Sequence, residues 1–160
     1  MRHILSVLVD NKPGVLTRVA GMFSRRGYNI DSIAVGTERD PAFSRMTIVV
    51  HGDDFILEQI NKQLNKLIDV IKVNDLTATT HVEREMQLMR IKCTVSTRSE
   101  IMQICDIFRG RIIDVSADSM MIEVTGTADK NQAFLDLLSK FGVQELARTG
   151  KIALSRGSAK

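Results

Sequence analysis

Asp10-Asn11-Lys12-Pro13-Gly14-Val15-Leu16 is the stretch of this chain whose residue types and order could do chemistry. It follows Ile4-Leu5-Ser6-Val7-Leu8-Val9, an alternating apolar run with the period of a half-buried strand. It opens a second run in which Val15, Leu16, Val19, Ala20, Met22 and Phe23 recur at helical spacing. Pro13 suits a first helical position, because its missing N–H would be unpaired there anyway. Gly14 lets another molecule approach the backbone closely. A strand, a glycine turn and a helix start leave N–H groups facing outward at the positive end of a helix dipole, which can seat a carboxylate. Free N–H groups at helix starts are also common without any ligand, and Asn11 could simply cap the helix.

Other chemistry is hard to find. His3, His51 and His81 show no metal-ligand spacing to one another or to the two cysteines, and read as ordinary strand or linker residues. Cys93 and Cys105 sit inside apolar patterns and read as reduced core residues. No nucleophile elbow, Walker loop or GxGxxG occurs. Gly52-Asp53-Asp54 has the opening of a thiamine-diphosphate motif but not its third glycine or downstream asparagines, and is better explained as a helix N-terminus. Base stacking on a sheet needs aromatic side chains. With one tyrosine, no tryptophan and six phenylalanines, four of them (Phe23, Phe55, Phe108, Phe134) in predicted helices, RNA binding fits poorly.

The elements that position the loop follow a repeating order. After the first strand and helix, Tyr28–Val35 and Met46–Val50 are rich in strand formers and flank a turn at Asp40-Pro41. Asp53 or Asp54 can cap a second helix whose apolar face is Ile56, Ile60, Leu64 and Leu67. Val70–Val73 is a fourth strand. The order βαββαβ folds as one sheet with two helices on one face. Beyond a polar link around Thr77–His81 the rhythm returns more weakly: a strand from Met86 to Val95, a capping box at Thr97-Arg98-Ser99-Glu100 before Ile101, Ile104, Cys105 and Phe108, then strands at Ile112–Val115 and Met120–Val124. Asp129 can start a last helix carrying Phe134, Leu137, Leu138 and Phe141, with a short strand after Gly142. The expected fold class is α+β, two ferredoxin-like domains spanning residues 1–78 and 79–160.

Bulk properties narrow the function classes. A length of 160 residues allows one ordinary domain or two small ones. Apolar content of 44% and charged content of 26% are those of a soluble globular chain. No apolar run reaches the ~18 residues of a membrane span, and no signal peptide is evident, so a cytoplasmic location is expected. The pI near 9.0 invites a nucleic-acid partner, but residues 1–80 hold 10 basic against 9 acidic side chains and residues 81–160 hold 12 against 10. Only Lys151, Arg156 and Lys160 form a basic tail, and such a tail reads as a solvated end.

Three ordered blocks carry a family resemblance: Asp10–Leu16, Arg25-Arg26-Gly27-Tyr28-Asn29-Ile30-Asp31-Ser32, and Ser44-Arg45-Met46-Thr47-Ile48-Val49-Val50. Together they resemble the acetolactate synthase small subunit, the regulatory subunit of acetohydroxyacid synthase, and its N-terminal ACT domain. Glu85-Met86 and Gly110–Val115 resemble the same family's C-terminal domain. The resemblance implies a chain with no catalytic activity and no cofactor of its own. It implies a partner, the catalytic large subunit, carrying thiamine diphosphate, Mg²⁺ and FAD, which condenses two pyruvates or pyruvate with 2-oxobutyrate. The small subunit would raise that activity and confer feedback inhibition by branched-chain amino acids, usually valine. It further implies a homodimer through the ACT domains. The effector would then be held by Asn11, Gly14, Val15 and Leu16 of one copy and by Asn29 and Ile30 of the other.

Overall fold

Strand β1 (Arg2–Asp10) sends Leu5, Val7 and Val9 to one face of a sheet and Ile4 and Ser6 to the other, and all five are buried. A strand buried on both faces needs cover on both, and the chain supplies it. In this computed structural model, which describes residues 1–157, β1 is followed by α1 (Val15–Arg25), β2 (Ile30–Thr37), β3 (Phe43–His51), α2 (Asp54–Asn65) and β4 (Val70–Asp75). The strands lie in the order β2-β3-β1-β4 and are antiparallel throughout. Val15, Val19, Met22 and Phe23 of α1 and Ile60 and Leu64 of α2 pack on Leu5, Val7, Val9, Met46, Ile48 and Val50. Of the two candidate caps for α2, Asp53 is the one used, accepting from the Ile56 N–H at 2.8 Å.

The second unit repeats the plan. Strand β5 (His81–Lys92) leads to α3 (Arg98–Ile107), β6 (Arg111–Val115), β7 (Ser119–Gly126), α4 (Ala128–Ser139) and β8 (Val143–Arg148). Its sheet order is β6-β7-β5-β8. Met89, Ile91, Met120, Ile122 and Val124 meet Ile101 and Cys105 of α3 and Phe134 and Leu138 of α4. Both cysteines are free and buried. The class is therefore α+β and ferredoxin-like in each half, as expected.

The chain divides into Met1–Val82 with the segment from Gly150 onward, and Glu83–Thr149. That C-terminal segment corrects the solvated-tail expectation. Ile152–Ser155 forms a further strand, β9, which pairs with β5, and the Arg156 N–H donates to the Thr80 carbonyl at 2.8 Å. Ala153 packs with Ile4, Val49 and Leu76 on the sheet face away from α1 and α2. The Lys151 N–H donates to Ser32 Oγ at 3.0 Å, and Lys151 is only 3% exposed. Composition suggested a solvated end; what decides the matter is an apolar sheet face that needs covering. Lys160, the last member of that expected tail, lies outside the described residues.

Three local expectations also change. The α1 N-cap is Gly14, so Pro13 stands just before the helix rather than inside it. Thr97 caps no N–H of α3; its Oγ1 instead accepts from the Thr94 N–H at 2.9 Å, and Glu100 pairs with Lys140. The nearby threonine outcompetes the capping box. Helix α4 starts one residue earlier than Asp129, with Thr127 as its cap. Among the described residues no helix is long and apolar enough to cross a membrane.

Candidate functional site

The loop from β1 to α1 is built on a left-handed glycine. Gly14 has φ 86° and ψ −10°, a conformation that costs a residue with a side chain roughly 1 kcal/mol or more. Its carbonyl accepts from the Arg18 N–H at 3.0 Å, the first bond of the helix ladder. The Val15 N–H turns back to the Lys12 carbonyl at a long 3.4 Å. Among the described residues the N–H groups of Gly14, Leu16 and Thr17 find no acceptor. The outward donors are thus Gly14, Leu16 and Thr17, whereas Val15, 3% exposed, belongs to the core by its side chain and to the turn by its N–H. Leu16 is half exposed and stands beside these donors.

Asn11 braces this loop. Its N–H donates to the Ala42 carbonyl at 2.8 Å and its Nδ2 to the Pro41 carbonyl at 2.9 Å. A carbonyl can only accept, so the amide orientation is settled and Oδ1 is left as an outward acceptor. Asn11 is therefore an anchor to the β2–β3 turn rather than a helix cap.

Arg18 and Asp69 complete the loop, and the sequence reading missed both. Arg18 Nε lies 2.5 Å from Asp69 Oδ2, in a charge-assisted bond that ties the first turn of α1 to the residue before β4. The same guanidinium reaches back over the loop, since a Cβ built on Gly14 would stand 2.9 Å from Arg18 Nη1. The Arg18 hydrogen bond holds the Asp69 carboxyl below its usual range against the opposing effect of desolvation. Hydrogen bonding to Asp69 likewise raises Arg18. The available signal was spacing: Arg18 is one helical turn beyond Gly14.

Asn29 and Ile30 sit elsewhere. Asn29 is exposed, with Nδ2 donating to Asp31 Oδ1 at 3.0 Å, and Ile30 is half-buried against the core beneath α1. Ile30 is opposite Val50, which is opposite His3, while the loop begins beside Asp10 at the other end of β1. Seven residue steps separate His3 from Asp10, a span of roughly 23 Å at the usual strand rise. Asn11, Gly14, Val15 and Leu16 are brought together; Asn29 and Ile30 of the same chain are not brought to them.

Comparisons with known proteins agree on a family. Residues 84–157 match the family model for the small subunit of acetolactate synthase, and residues 5–72 match the AHAS small subunit-like ACT domain. A protein of Archaeoglobus fulgidus named "Probable acetolactate synthase small subunit" is 56% identical over 160 residues, covering 100% of both chains. The chain belongs to the acetolactate synthase small-subunit family. The acetolactate synthase small subunit of Aquifex aeolicus is 49% identical over 97% of this chain and 81% of that one. The crystal structure of the small subunit from Thermotoga maritima superposes with a TM-score of 0.91 at 46% identity, over 99% of each chain. All six expected site residues fall inside the ACT match of this small-subunit family, and the second match runs on through β9.

Proposed function

We propose that this chain is a regulatory subunit that binds valine between two copies of its ACT domain and thereby sets the activity of a catalytic acetolactate synthase large subunit. The observation that carries the reading is the loop: three N–H groups at the leading turn of α1 that are unpaired among the described residues, beside the outward Oδ1 of Asn11. The donors suit an α-carboxylate and the acceptor suits an α-ammonium, the two groups every free amino acid carries. Half-exposed Leu16 offers a surface for a short branched side chain.

The distant position of Asn29 and Ile30 supports a shared site. β2 is an edge strand, and its Thr37 end is opposite Ser44, which is opposite Val9 beside the loop. When two β2 edges pair antiparallel about a two-fold axis, Ile30 of the second copy comes to the Thr37 end of the first. That is the end at which the Gly14 loop lies. Asn29 and Ile30 of one copy then close the pocket that Asn11, Gly14 and Leu16 of the other begin, with Val15 holding the turn beneath them.

Regulation follows when valine binds two states of the complex unequally. A coupling of about 1–3 kcal/mol changes the partner's equilibrium roughly 5–150-fold. The chemistry itself, condensing two pyruvates or pyruvate with 2-oxobutyrate on thiamine diphosphate with Mg²⁺ and FAD, stays with the catalytic partner. Mixing the purified chain with its large subunit and following acetolactate formation tests this. Activity rises on mixing and falls again with valine. A chain that changes neither activity nor valine response, and binds no valine by calorimetry, refutes the proposal.

A further inference from the structure

One cluster of charge has no counterpart in the effector reading. Arg84 of β5, Arg109, Arg111 of β6 and Lys130 of α4 line a concavity of about 470 Å³, together with Glu123 and Thr125 of β7. It is an open depression with a mostly polar lining rather than an enclosed apolar cavity. The guanidinium groups of Arg18, Arg45 and Arg90 are each matched by a carboxylate, Asp69, Glu38 and Glu145. Here four cations face one carboxylate, and Glu123 forms no ion pair among the described residues although Arg111 is directly opposite it across the strands. The side chains of Arg109 and Arg111 make no hydrogen bond or ion pair among the described residues, although the Arg109 N–H donates to the Asp106 carbonyl at 3.1 Å. Lys130 Nζ is held by the Thr125 carbonyl at 3.0 Å and Arg84 Nη1 by the Glu83 carbonyl at 2.7 Å, contacts that orient the cations without neutralising them.

The backbone adds a second observation. Arg109 has φ 56°, the one non-glycine residue with positive φ among the described residues. Its neighbour Gly110 is pinned, since a Cβ there would stand 2.9 Å from Cys105 Sγ and 3.3 Å from the Glu123 carbonyl oxygen. Arg109 follows the C-cap of α3, and the Gly110 N–H closes the helix end on the Cys105 carbonyl at 2.8 Å. The left-handed position that Arg109 occupies is normally filled by glycine or asparagine, so here it is an arginine that the helix end holds at the rim of the concavity.

We propose that this pocket of the second unit binds a small anion carrying two or more linked phosphate groups. A single carboxylate would leave most of the positive charge unmatched, whereas a di- or triphosphate meets three or four cations at once through charge-assisted bonds. Glu123, half-buried among them, sets a limit by repelling an anion seated deep between the strands. The ligand therefore lies toward Arg109, Arg111 and Lys130. The site involves none of the residues of the Gly14 loop, and its test does not involve valine.

Calorimetric titration of the intact protein with sodium tripolyphosphate, pyrophosphate and orthophosphate at 0.15 M salt decides it. Tripolyphosphate binds once per chain and more tightly than pyrophosphate, while orthophosphate is weaker still. Arg111→Gln loses roughly tenfold or more in affinity, the scale of a lost charged hydrogen bond. Arg109→Gly weakens binding while raising the melting temperature, because glycine relieves the left-handed strain; a merely structural Arg109 would give the rise alone. Arg25→Gln, on α1 in the other unit, leaves affinity unchanged. The proposal is overturned by absent binding at millimolar tripolyphosphate, by equal losses in Arg25→Gln and Arg111→Gln, or by Arg111→Gln weakening only the capture of an acidic protein partner.

Discussion

Arg18 Nε and Asp69 Oδ2 stand 2.5 Å apart, joining the first turn of α1 to the start of β4 across the loop that presents Gly14. Asp69 is 7% exposed, so this carboxylate has exchanged most of its water for one guanidinium. The pair holds the loop's floor and keeps a cation beside the free N–H groups.

That pair has a pH signature. The native Asp69 carboxyl lies below its usual range, with the Arg18 hydrogen bond as the main cause. Its stabilising effect is present above the unfolded value of about 3.9 and is lost as pH falls through the lower native value. Asp69→Asn is expected to be less stable than the parent at pH 7, with the difference shrinking below about pH 4. Urea midpoints recorded from pH 2.5 to 7 measure this; a constant gap across that range would contradict the assignment.

Gly14→Asp places a carboxylate where the effector's own is proposed to lie, and adds a Cβ within 2.9 Å of Arg18 Nη1 at φ 86°. Valine affinity is expected to fall at least tenfold while activation of the catalytic partner persists. Gly14→Ala carries the same backbone strain, roughly 1 kcal/mol or more, without the charge. Comparable valine affinities in the two variants would assign the loss to strain and remove the carboxylate argument.

Gly150 has no room for a side chain, since a Cβ would lie 2.3 Å from the Ile33 carbonyl oxygen and 3.0 Å from the Ala34 nitrogen. Backbone atoms in a paired strand cannot step aside cheaply. Gly150→Ala is expected to lower stability by about 1–3 kcal/mol, the usual scale of overpacking, read as a reduced denaturant midpoint. An unchanged midpoint would mean that the segment from Gly150 does not rest on β2 in solution.

A chain ending at Thr149 loses β9 and uncovers Ile4, Val49 and Leu76, which Ala153 helps to shield. Each large apolar side chain fully re-exposed costs about 1.5–3 kcal/mol, so the truncated chain is expected to melt lower and to bind a hydrophobic dye. A fragment holding residues 1–80 alone suffers the same loss. Equal melting temperatures for truncated and intact chains would show that β9 contributes nothing to the first unit.

The sequence made the strand-and-helix order legible because local periodicity carries it. Leu5, Val7 and Val9 alternate, and Ile60 and Leu64 recur one helical turn apart. The Gly14 turn was legible as well, since few residues tolerate its φ. What escaped was long-range. Nothing local ties Ala153 to Ile4 or Lys151 to Ser32, and nothing local ties Arg18 to Asp69 beyond opposite charge. The Thr97 capping box failed for a local reason, a competing hydroxyl acceptor arrangement with Thr94. For Val15 the sequence offers a backbone donor to a ligand, whereas in the fold its N–H turns toward the Lys12 carbonyl at 3.4 Å, a contact that no local pattern announces.

The shared pocket is tested most directly by a mixed dimer. One copy carries Gly14→Asp, the other Asn29→Ala, and valine is titrated calorimetrically into the purified mixed species. One pocket then unites an intact loop with an intact Asn29 from the opposite copy, and the other pocket has lost both. The expected result is one valine per dimer at the affinity of the unmodified protein, with each homodimeric variant binding weakly. Weak binding by the mixed dimer, no better than either homodimer, would contradict a site completed between copies.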